Sequence, residues 1–426
     1  MSKIVRLRNV CLWALLGLLF SWLLSCQSNP SSGQEIEFWT MQLQPQFTQY
    51  FNELIATFEK ENQGVKVRWV DVPWEAMENK ILSAVSAKTA PDVVNLNPNF
   101  ASQLATRDAW LDLNKQLTTE NKQQYLPKIW QASTINNISF GIPWYLTTRV
   151  TIYNKDLLAK AGISEPPKTY EELAKVAAQV KEKTGKYAFF ITFVPGDSAE
   201  VLESLVQMGV KLVDEKGKAA FNTPEGIAAF KYWVDLYQKE LLPPEVLTQG
   251  HRYAAELYQA GETALLASGA ESLQTIENNA PNIAQVSAAA PQISGKTGKK
   301  NVAVMNLTIP RDTDKPEQAV KFALFVTNSA NQLAFAKAAN VLPSTEEAVK
   351  EYIKELDKGG NATPIEQARR VSATQLKDAE ILVPAMKNLN QLQKAIYENL
   401  QAAMLKKKTV EQAVKDAAQA WNSGQA

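Results

Sequence analysis

The rhythm of apolar and polar positions changes three times before Phe58. From Val10 to Leu24 the chain is apolar, broken only by Gly17 and Ser21. A polar stretch from Gln27 to Gln34 follows Cys26, and Ile36 and Phe38 then alternate with Glu35 and Glu37 as in a half-buried strand. Phe47, Tyr50, Phe51, Leu54, Ile55 and Phe58 recur at three- and four-residue intervals and predict a helix with one apolar face.

The same two periods continue. "VKVRWV" (65–70) alternates as a strand, 75–88 reads as a helix, and "PDVVNL" (91–96) reads as a strand buried on both faces. This β-α-β-α-β opening suits right-handed crossovers. Further strands are predicted at "VTIYN" (150–154), "AFFITF" (188–193), "TALLAS" (263–268) and "VAVMNLTI" (302–309). Thr169 with Glu172 predicts a capping box for a helix closed by Gly185, and Thr223 caps a helix that starts at Pro224. Beyond Pro316 the pattern is mostly helical, with N-caps expected at Ser344 and Thr409. "KTGKK" (296–300) and "DKGGN" (357–361) read as exposed loops. Strands alternating with helices predict an α/β protein with mixed, mainly parallel sheets flanked by helices.

The apolar run at the start has a different meaning. Lys3, Arg6 and Arg8 precede it, and it is short of the roughly 20 residues of a comfortable membrane span. Residues 1–25 therefore read as an export signal, with an uncleaved signal anchor as the alternative. Leu23-Leu24-Ser25-Cys26 resembles a bacterial lipobox, so Cys26 is the expected lipidation site and 26–34 a flexible tether. The second cysteine, Cys11, lies within the signal, which leaves no pair for a disulfide after export.

Composition narrows the chemistry. With 45 basic and 44 acidic residues the chain is nearly neutral, so nothing points to nucleic acid. Its 426 residues suffice for two or three domain-sized cores. His251 is the sole histidine, which removes His/Cys zinc sites and the commonest general bases and nucleophiles. "SGKTG" (294–298) fails as a phosphate loop because Ala290 stands where glycine is needed and a strand follows. No catalytic residue, metal or cofactor is expected; a carboxylate-pair hydrolase is the remaining enzymatic alternative.

Four segments carry a family resemblance. They are "KTAPDVVNLNPNFASQLATRDAWLDLNKQL", "SFGIPWYLTTRVTIYNKDLLAKAGISEPPKTYEEL", "AAFNTPEGIAAFKYWVDLYQKELLPP" and "IPRDTDKPEQAVKFALFVTNSANQ". In family order, they resemble the extracellular solute-binding proteins of ABC importers, of the maltose-binding-protein-like, sugar-binding class (family 1). The resemblance implies a two-lobe periplasmic-binding-protein fold, type II-like, with a hinged cleft. It implies an N-terminal lobe from 35–146 plus about 303–350, and a C-terminal lobe from 147–302 plus about 351–426. The crossovers fall near 146–148, 302–304 and within 345–360. A monomer at the periplasmic or cell-surface face, anchored through lipidated Cys26, would bind a carbohydrate or polyol and deliver it to ABC permease subunits. The alternatives are a receptor for an anionic solute of glycerol-phosphate type and a surface sensor outside transport.

Sugars offer C–H-rich faces and hydroxyl edges, so their sites need aromatic platforms and fixed polar groups. In open α/β sheets such groups sit just beyond the carboxyl ends of strands. Trp39 and Gln42 close the first strand, and Asn97 and Asn99 follow "PDVV", where they could instead cap a helix. Trp144, Tyr145, Thr147 and Arg149 stand at the first crossover; the aromatics could pack the hinge and Arg149 could pair with a carboxylate. Met305 and Asn306 complete the ligand-binding candidates, with Trp74 either at the cleft mouth or in a helix–sheet seam. Two departures from the family stand out. Gly269 is followed by Ala270, Glu271 and Ser272 where an aromatic is common, and "NVAVMNL" replaces a Gly-Gly-aromatic strand. Fewer stacking platforms imply a ligand smaller or more polar than a long maltodextrin.

Overall fold

The computed structural model describes residues 34–424 apart from 106, 136, 359–362, 385 and 387. The signal, Cys26 and the tether up to residue 33 lie outside the described residues, as does part of the loop expected at 357–361. The strands in chain order are β1 (Gln34–Met41), β2 (Val65–Val72), β3 (Val93–Leu96), β4 (Thr134–Ile135), β5 (Ile138–Ser139) and β6 (Ile142–Thr148). They continue as β7 (Val150–Asn154), β8 (Leu265–Ser268), β9 (Ser287–Pro291), β10 (Lys300–Thr308), β11 (Leu342–Pro343) and β12 (Ala379–Glu380).

A large sheet has the order β11-β6-β10-β3-β1-β2, with β12 added to β10, and a smaller sheet has the order β8-β7-β9. The large sheet is apolar on both faces, which is why it is covered by helices on both. Ile36 and Phe38 of β1 join Trp144, Leu146 and Phe322 on one face. Trp39 and Met41 join Met77, Ile81 and Leu104 on the other. The smaller sheet has its own core, in which Val150 and Ile152 meet Trp233, Leu265 and Tyr397.

Local signals act as the residue pattern predicts. Thr169, Thr223 and Thr409 each accept a backbone N–H three residues on, and Gly185 closes its helix at φ 71°, where glycine is unstrained. Glu172 reaches Lys168 N at 2.7 Å instead of closing the capping box.

Three expectations are corrected by packing. The sheets are mixed, but antiparallel ladders predominate: β1 runs parallel to β2 and β3, whereas β10 is antiparallel to β3 and β6, and β7 to β8 and β9. The reason is that β6 continues past Arg149 into β7, and β9 returns to β10, without a crossover helix. "AFFITF" is buried but forms no ladder; Ala188 O accepts from Leu265 N and Phe193 N donates to Val246 O at 2.8 Å each. Ser344 does not cap Glu346–Asp357; its hydroxyl donates to Pro143 O, and Thr345 takes the cap position without a side-chain bond. Tyr352 packs in the first core, Ala368 of the helix Pro364–Gln375 in the second, and Ala373 of the same helix in the first again.

Candidate ligand-binding cleft

The two cores leave between them a cleft of ≈ 860 Å³. The large sheet supplies the segment after β1, the end of β3, and the outward positions of β6 and β10. Asp71 on β2 holds the first of these: its carboxylate accepts from Thr40 Oγ1 at 2.6 Å, Leu43 N at 2.9 Å and Gln44 N at 3.0 Å. Gln42 lines the cleft with φ 53°, and its Oε1 accepts from Trp74 N at 3.3 Å. Trp74 is 42 % exposed, opens the helix Trp74–Ala87 and shares the cleft wall with Phe47. Asn97 also lines the cleft, with Oδ1 committed to Phe100 N at 2.9 Å.

β6 sorts its side chains by parity. Ile142, Trp144 and Leu146 enter the core, while Tyr145 and Thr147 face the cleft. The Tyr145 hydroxyl bonds no described residue, and burial raises its pKa above the usual phenol range, with Glu271 and Asp71 adding to the shift. On β10 a register shift between Met305 and Asn306 separates their fates: Met305 lines the cleft and Asn306 is fully buried.

Gln42, Asn97, Tyr145, Thr147 and Met305 are thus brought together. Three candidates are corrected. Trp144 is 0 % exposed and stacks on Phe335, with ring centroids 4.9 Å apart, because its strand parity points it inward. Trp39 lies in the opposite core, its Nε1 donating to Glu37 Oε1 at 2.6 Å. Asn306 Oδ1 accepts from Ser133 Oγ at 2.6 Å, and a Cβ at Gly141 would come within 2.8 Å of its Cβ, so it fills a structural slot. The Asn99 side chain lies outside the described residues. Arg149 lines a smaller recess of ≈ 260 Å³ that adjoins the cleft, paired with Glu200 and with Glu203 (Nε–Oε2 3.3 Å).

The second core faces the cleft with Glu203, Glu271, Gln274 and Asn278. A cleft between two cores, aromatic on one wall and rich in amides and carboxylates on the other, is built to hold a polar solute. The family model of the bacterial extracellular solute-binding proteins matches residues 44–333. The chain belongs to that family. Its members bind solutes and are not enzymes, in keeping with the missing catalytic motifs.

The binding protein is similar to a periplasmic-binding protein of Synechococcus sp. MITs9220, ascribed to oligosaccharides and solved with and without zinc. Identity is 46 %, over 91 % of this chain and 98 % of that one, and the TM-scores are 0.87 and 0.86. The diacetylchitobiose binding protein DasA of Streptomyces coelicolor is 24 % identical over 69 % of both chains. The cyclic alpha-maltosyl-1,6-maltose binding protein of Arthrobacter globiformis shares the fold at TM-score 0.78 and 20 % identity, over 91 % of this chain and 98 % of that one.

Sequence reasoning missed Glu203 and Asn301 as cleft residues, and saw Glu271 only as a departure. Glu271 carried a signal, since it stands three residues past β8, where ligand groups belong. Glu203 carried none: it lies within the helix Glu200–Gln207, and only packing turns it to the cleft.

Proposed function

We propose that this protein captures a sugar between its two cores, which act as closing lobes, and delivers it to a membrane permease of an ABC importer. The observation behind the reading is the cleft itself, lined from both cores and carrying an exposed tryptophan face at its mouth. A ligand touching both sides favours the closed arrangement in proportion to the extra contacts made there. The permease would read that closed shape, with ATP hydrolysis on other subunits.

The names of the relatives, which refer to diacetylchitobiose, maltose and arabinooligosaccharides, support a carbohydrate. At ≈ 860 Å³ the cleft lies in the upper part of the range of ligand sites, roughly 300–1,000 Å³, which favours a di- or oligosaccharide over a single small polyol. Export and attachment through lipidated Cys26 would keep the monomer near its permease.

A thermal-shift panel of mono-, di- and oligosaccharides, polyols and sugar phosphates tests the reading. A true ligand at about 100 times its Kd stabilises the folded state by about 2.7 kcal/mol. The expected result is a concentration-dependent rise in Tm with at least one carbohydrate. No shift with any of them, together with a shift from a peptide or amino acid, would overturn it.

A further inference from the structure

One end of the cleft holds more negative charge than its surroundings balance. Glu203 and Glu271 line the cleft, Asp197 lines the adjoining recess, and Glu200 packs behind them. Arg149 is the guanidinium facing these four, and it is already engaged by Glu200 and Glu203. His251, with Nδ1 3.5 Å from Glu200 Oε2, adds no second cation. Burial first, and Arg149 next, pull its pKa down to about 4, so it is neutral at neutral pH. Asp197 is occupied by the backbone N–H of His251 at 2.7 Å.

Glu271 stands apart, forming no ion pair with a described residue. Its carboxylate lies over Gly269, where a Cβ would come within 2.0 Å of Oε2, so the glycine makes room for it. Burial pushes its pKa up in spite of the pull of the nearby Arg149, so its charge is only partly compensated by the protein. A cation would complete that compensation. An ammonium, with its three N–H donors, suits the two carboxylates, Glu203 and Glu271, that line the cleft here.

We propose that this end of the cleft receives a protonated amine, so that the captured solute is an amine-bearing sugar. This narrows the sugar-capture reading and rests on it. An ammonium supplies three donors and a positive charge to Glu271 and Glu203, and the Tyr145 hydroxyl is free to bond the adjacent ring oxygen or hydroxyl. A phosphate here would face the same carboxylates as like charges, which counts against a glycerol-phosphate-type ligand.

Calorimetric titration of the purified protein separates the cases, using the free-amine glucosamine disaccharide, its N,N′-diacetylated form, maltose and glucose 6-phosphate. The free amine is expected to bind about 10-fold or more tightly than either neutral disaccharide, as a charge-assisted bond to a half-buried carboxylate implies. Glu271→Gln is expected to remove most of that advantage, so that the free amine and the neutral disaccharides bind the variant within about threefold of one another. Loss of this partly desolvated charge is also expected to raise the Tm of the ligand-free variant at neutral pH, a check that it folds. Equal binding of a neutral disaccharide, tight binding of glucose 6-phosphate, or an unchanged amine affinity in Glu271→Gln overturns the proposal and leaves sugar capture standing. Failure of every carbohydrate to bind overturns both.

Discussion

Trp74 and Trp144 are the same residue type with opposite duties. Each follows a proline, Pro73 and Pro143, near the end or start of a strand. Trp144 shares its face of β6 with Ile142 and Leu146, so its indole fills the first core against Phe335, Phe38 and Phe51. Trp74 begins a helix at the cleft mouth and, among the described residues, has one ring neighbour, Phe100, at 6.4 Å. Trp144→Ala should therefore cost about 3–5 kcal/mol of stability through the cavity it leaves, seen as a lower denaturant midpoint. Trp74→Ala should leave that midpoint nearly unchanged and weaken sugar binding by about 1 kcal/mol, measured by titration. Reversed outcomes would reverse the two assignments. Ile142 and Leu146 share the parity of Trp144, but no local signal marks 142–148 as a strand, so the inward face of the indole is decided by pairing with β10 and β11.

At the scale of elements, the junction between the cores is laced by side-chain amides. Gln375 Nε2 donates to Thr148 Oγ1 at 2.9 Å and to Arg149 O at 2.6 Å, while its Oε1 accepts from Gln292 N at 3.1 Å. Gln292 Oε1 in turn accepts from Asn301 N at 2.7 Å, and Asn301 Oδ1 accepts from Leu382 N at 3.2 Å. Three passages of the chain are thus tied by one relay, and Asn301 also lines the cleft. Gln375→Ala takes this partner from one donor, Gln292 N–H, and two acceptors, Thr148 Oγ1 and Arg149 O, and should lower stability by about 1–3 kcal/mol in a denaturant titration. A loss no larger than that of an exposed glutamine, Gln412→Ala, would show that water replaces the relay. Helices with strong caps were readable because cap and helix are neighbours in sequence. The relay was not, since its members lie up to 227 residues apart.

At the scale of the molecule, the described residues pack into cores on either side of the cleft. A short tether from a lipid anchor raises the effective concentration of a receptor at its membrane partner, which suits a protein whose product is a closed shape. Cys26→Ala should block lipidation and release the protein from the membrane fraction on cell fractionation. Normal processing and membrane attachment in that variant would exclude Cys26 as the anchor. The α/β class, the alternation of elements and the family were legible because periodicity and motif spacing survive in one dimension. The predominance of antiparallel pairing was not, because pairing direction depends on which strands meet after the chain has crossed between cores.

By itself the sequence determined half of the described strands, the helices with the clearest apolar faces, and the caps at Thr169, Thr223 and Thr409. These follow from local periodicity and residue type. Only the tertiary structure decided which polar groups face the cleft, and with what charge. Arg149, Glu203, His251 and Glu271 come from separate segments, and a carboxylate's need for a partner arises only once folding has removed water from around it.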